Sequence, residues 1–71
     1  MNDLKVKIFN LICNGSISSK DISIELNITR QNVNYYLGLL VKDAAIKKVG
    51  MQYCLSPFLV KHYRKEIKWN I

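Results

Sequence analysis

The chain has 71 residues, with 11 Lys and Arg against five Asp and Glu and a net charge of +6. This length provides for one small domain, which buries only about 60% of the surface its unfolded form exposes. An apolar fraction of 49% excludes a disordered chain, and no apolar run approaches the roughly 20 residues of a membrane span.

Asp3 is placed to cap a first helix, in which Leu4, Ile8, Leu11 and Ile12 recur at helical spacing beside Phe9. Asn14-Gly15 ends it, because both residues tolerate a left-handed backbone. A second helix starts at Ser18-Ser19-Lys20-Asp21. There Ser18 can accept from the backbone N–H of Asp21, and the Asp21 carboxylate suits the positive helix end. Ile22 and Leu26 point inward, Asn27 stops the helix and Ile28 returns to the core. Thr29 caps a third helix running from Arg30 to Lys42. Its apolar stripe is Val33, Tyr36, Leu37, Leu40 and Val41, with Arg30, Gln31, Asn34, Tyr35, Gly38 and Lys42 on or near the opposite face.

The period then changes. Residues 45–49 and 52–56 form two short strands around Gly50-Met51, and a Gly in first place predicts a type II′ hairpin turn. Ser56-Pro57 opens a fourth helix over 57–69, with Leu59, Tyr63 and Ile67 as its stripe and Lys61, Arg64, Lys65 and Lys68 outside it. The basic excess is uneven. Residues 1–41 hold four cations and three anions, whereas residues 42–71 hold seven and two. A field of that sign favours a polyanionic partner.

Cys13 and Cys54 make no disulfide framework and show no metal-ligand spacing; with His62 as the one histidine, a structural zinc site is not expected. No signal peptide is expected either, since Lys5, Lys7 and Asn10 interrupt the first apolar stretch. The expected compartment is the cytoplasm. Catalysis has little support. Capping and surface roles explain Asp21 and Glu25, His62 has no evident Ser, Cys or Asp partner, and no Gly-rich phosphate loop exists. The chain is therefore read as a non-enzyme without cofactors.

Two short helices joined by Asn27-Ile28-Thr29 have the form of a helix-turn-helix. The segment from Ile17 to Thr29 resembles the second helix and turn of the winged-helix superfamily. The segment from Thr29 to Leu40 resembles its recognition helix, and that from Ala45 to Gly50 its first wing strand. The likeness covers residues 4–56. By pattern it is similar to the small MarR-like and ArsR-like regulators, and by length to fimbrial-operon regulators and small viral winged-helix proteins. It implies a mostly α fold with a small β-hairpin: three helices, a two-stranded wing and a C-terminal helix in a single domain over 1–71.

There are departures from the family pattern. Ala44 stands where the family usually has Gly, so either the helix end is built differently or a strain of about 1 kcal/mol is tolerated. No ligand-binding extension is expected, and Cys13 and Cys54 do not have the form of a metal-sensing cysteine pair.

The resemblance also implies a partner, duplex DNA, with helix 29–42 in the major groove and wing 46–55 on the backbone. Arg pairs with guanine and Asn or Gln with adenine. Base contacts are accordingly expected from Arg30, Gln31, Asn34 and Tyr35, and Gly38 permits close backbone approach on that face. Ser18, Ser19, Lys20, Lys42, Lys47 and Lys48 are expected at the backbone. Only one of the neighbours Lys47 and Lys48 can share a given strand face. The last helix either covers the core or pairs with its twin in a homodimer, with Phe58, Leu59, Val60, Tyr63, Ile67 and Trp69 in the seam. The alternative function is a protein-interaction module of a transcription, replication or mobile-element defence complex, with an inhibitor carried by a mobile element as a third reading.

Overall fold

The computed structural model describes residues 3–57. In chain order they form α1 (Asp3–Cys13), β1 (Ile17–Ser18), α2 (Ser19–Leu26), α3 (Arg30–Lys42), β2 (Ile46–Val49) and β3 (Gln52–Leu55). Three helices followed by an antiparallel hairpin is the expected winged-helix order. Of the expected last helix, Phe58, Leu59, Val60, Tyr63, Ile67 and Trp69 lie outside the described residues, as does His62.

Local chemistry sets the helix boundaries. Asp3 lies inside the first turn of α1 rather than ahead of it, where its carboxylate still faces the positive end. The Ser18 hydroxyl accepts from the N–H of Asp21 at 3.1 Å, and the Thr29 hydroxyl from that of Asn32 at 3.1 Å. Each satisfies a backbone donor that the helix itself leaves open. At the other ends the same closure occurs twice. Asn27 is left-handed (φ 55°), with its N–H on Ile24 O and that of Ile28 on Ser23 O. Ala44 is left-handed too (φ 61°), with its N–H on Val41 O and that of Ala45 on Leu40 O. Both are Schellman closures. The second alternative for Ala44 therefore holds: the family's helix end is kept, and an alanine bears a conformation that costs an L-residue about 1 kcal/mol.

The core follows helical spacing. Ile8 and Ile12 of α1, Ile22 of α2, Val33, Leu37 and Leu40 of α3 and Ile46 of β2 are buried together. Phe9, Leu11, Leu26, Ile28 and Tyr36 pack around them half-buried. Val41 departs from the expected stripe. It is 43% exposed, because the buried line of α3 runs through positions 33, 37 and 40 and ends one residue earlier. An exposed ion pair, Lys5 Nζ to Asp43 Oδ2 at 3.4 Å, links α1 to the end of α3; such pairs add little to stability.

The sheet has one strand more than expected. β1 pairs antiparallel with β3, giving the order β1-β3-β2. The hairpin turn is Gly50-Met51, since Val49 pairs with Gln52. Gly50 has φ 64° and Met51 has no positive φ, which fits the type II′ turn that a leading Gly predicts.

Cys13 and Cys54 are free and half-buried. Burial pushes the Cys13 thiol up from its ordinary value. Among the described residues no group of His, Cys, Asp and Glu is placed to hold a metal ion, and no helix is long and apolar enough to cross a membrane.

Candidate nucleic-acid interface

Strand β1 positions the site. Ser18 is at once the last residue of β1, paired with Gln52, and the cap of α2. The start of α2 is thereby held against the wing strand β3. Helix α3 joins the same place through a side-chain bond: Ser19 Oγ donates to Asn34 Oδ1 at 2.7 Å.

Between these elements lies a groove of about 520 Å³. Ser18 lines it from the end of β1, Ser19 and Lys20 from α2, Arg30 and Asn34 from α3, and Lys48, Met51 and Tyr53 from the hairpin. Three cations from three elements converge there, and no acid is among the lining residues. Arg30 and Asn34 are four apart on α3 and so stand one above the other.

The register decides between the wing lysines. Lys48 lies opposite Tyr53, and its ammonium sits 5.9 Å from the ring centroid. Cation and ring attract at this range, which steers Lys48 along the groove wall. Lys47 lies opposite Cys54 on the other face of the strand. Both lysines are exposed, but only Lys48 lines the groove.

The other expected residues separate as follows. Gln31 and Tyr35 are exposed on α3, outside the groove lining, with Tyr35 63% exposed and its ring edge-on to Tyr36 at 5.1 Å. Lys42 is exposed at the far end of α3, about 18 Å along the axis from Arg30. Ser19 is 8% exposed and lines the groove, where its hydroxyl bonds to Asn34. Tyr53 and Met51 were not singled out from the sequence. Lys48-to-Tyr53 pairing across a two-residue turn was the signal that could have found the tyrosine.

The geometry suits a phosphate-bearing polymer: a concave basic surface flanked by a polar helix face. A family model described as winged helix-turn-helix DNA-binding matches residues 1–43, from α1 through the end of α3. Among solved structures the chain is similar to reduced HlyU from Vibrio cholerae, with 17% identity and a TM-score of 0.69 over 94% of this chain and 80% of that one. At that identity the likeness shows the fold. A comparison with curated protein sequences gives no match. The family match ends where the hairpin begins, and the hairpin folds beside it as a wing; the chain belongs to the winged helix-turn-helix DNA-binding family.

Proposed function

We propose that the protein is a sequence-specific regulator of transcription that binds duplex DNA as a homodimer in the cytoplasm, acting by occupancy and without catalysis. Helix α3 enters the major groove, with Arg30, Gln31, Asn34 and Tyr35 at base edges. Ser18, Ser19, Lys20, Lys42, Lys47 and Lys48 hold the backbone, and the wing from Ile46 to Leu55 lies along it. Residues 1–71 act as one domain. Segment 57–69 pairs with its twin through Phe58, Leu59, Val60, Tyr63, Ile67 and Trp69.

The observation that carries this reading is the convergence of Lys20, Arg30 and Lys48 on one groove with no lining acid. Cations so arranged attract phosphate irrespective of sequence, while base edges supply the discrimination. Family membership supports DNA as the partner.

Charge removal tests it by separating these roles. Arg30→Ala is expected to weaken binding to a preferred duplex by about 5- to 150-fold and to relax the preference at one position. Lys48→Ala is expected to weaken all duplexes alike. Lys47→Ala acts in the same uniform way but less strongly, because its side chain faces away from the groove. Fluorescence anisotropy with preferred and scrambled duplexes reads all three. Unchanged affinity in both Arg30→Ala and Lys48→Ala would remove the groove from the interface.

A further inference from the structure

We infer that Tyr53 is a positioning residue: its ring holds the Lys48 ammonium in the groove, where a phosphate of the duplex meets it. This rests on the proposal that the groove binds duplex DNA.

The groove gathers like charges. Lys20, Arg30 and Lys48 all line it, and no acid lies among the lining residues. Cations brought together without a counterion repel one another. Lys48 is exposed, and its four-carbon stem turns freely, so repulsion alone would swing its ammonium out into water. A side chain that is ordered only when its phosphate arrives lowers affinity by the entropy of that ordering. One that is held beforehand does not.

Tyr53 is placed to hold it. Lys48 and Tyr53 lie directly opposite in the register of β2 and β3, and the ammonium sits over the ring, 5.9 Å from its centroid. The tyrosine is itself anchored. β3 is the middle strand of the sheet, Tyr53 also pairs with Ile17 of β1, and its half-buried side chain packs against the core. An aromatic face on one side of an ammonium leaves N–H donors for a phosphate on the other. Lys47 lies opposite Cys54 on the other face of the strand, with no ring across from it. Of the two wing lysines, only Lys48 is therefore pre-arranged for the backbone.

A double-mutant cycle on the full-length chain tests this, read by fluorescence anisotropy with preferred and scrambled duplexes. Tyr53→Leu is expected to weaken both duplexes by about 2- to 5-fold per protomer, the range of an exposed cation–ring contact. Tyr53→Phe keeps the aromatic face and is expected to bind like the wild type. Added to Lys48→Ala, Tyr53→Leu is expected to have no further effect; added to Lys47→Ala, it keeps its full effect. NMR of the wild-type protein gives a second reading that needs neither DNA nor a folded variant. The Lys48 methylene protons next to the ammonium are expected upfield of those of Lys47, shifted by the Tyr53 ring current. Equal shifts for the two lysines overturn the inference. So does a Tyr53→Leu loss that persists in the Lys48→Ala chain, the mark of a purely structural tyrosine. A loss in Tyr53→Phe equal to that in Tyr53→Leu overturns it as well, because the hydroxyl is then the contact. These three outcomes leave DNA binding intact. Duplex affinity unchanged by Lys48→Ala alone overturns the reading of the groove, and this inference with it.

Discussion

Raising the salt concentration from about 50 to 200 mM is expected to weaken duplex binding by roughly 10³- to 10⁴-fold. The size follows from counterion release. If each protomer neutralises about three to four phosphates, a dimer displaces ions from about six to eight, and the slope of log K against log salt is about −5 to −7. The residues proposed to hold those phosphates are Lys20 and Lys48, which line the groove, and Lys42 and Lys47 outside it. A monomer acting alone would give about half that slope, so the same titration reports the stoichiometry. Removing one phosphate-holding lysine should flatten the slope by about one unit per protomer. Binding that is indifferent to salt would mean that the basic groove is a solvated surface.

Replacing Leu37 by alanine is expected to cost about 2–5 kcal/mol of folding stability. Leu37 is 1% exposed and lies at the middle of the buried line of α3, among Ile8, Ile12, Ile22 and Ile46. A core in a domain this small rarely supplies more than about 3–5 kcal/mol, so the variant should be largely unfolded at room temperature. Ala44→Gly works in the opposite direction. It leaves the Schellman bonds in place and relieves a left-handed alanine at φ 61°, for a gain of about 1 kcal/mol and a rise in Tm of about 5 °C. Urea and thermal unfolding followed by circular dichroism measure both. Midpoints that rise with protein concentration would show that folding is linked to dimerisation. A Leu37→Ala variant as stable as the wild type would contradict the packing described.

The helix ends were legible in the sequence because caps are short-range chemistry. Ser18, Thr29 and Asn27 each act within four residues, and all three sit where their side chains or backbone preferences put them. The Gly50-Met51 turn was legible for the same reason. Strand β1 was not. Two residues are too few to show alternation, and the partner of Ile17, Tyr53, is far along the chain. The groove depends on that pairing, so its residues could be named as separate contacts without being seen to converge. Adjacent serines posed a second limit. Ser18 and Ser19 are the same residue type, and only the phase of α2 makes one a cap and the other a buried donor to Asn34. Alternation likewise said that Lys47 and Lys48 face apart, while the register with β3 chose Lys48 for the groove.

Equilibrium selection of the wild-type protein on a random duplex library is the most direct measurement of sequence-specific DNA binding by this domain. The prediction is an enriched, twofold-symmetric site whose half-sites are centred about one helical turn, roughly 10 base pairs, apart. Recovery of no preferred site, with every duplex bound equally or not at all, would contradict it.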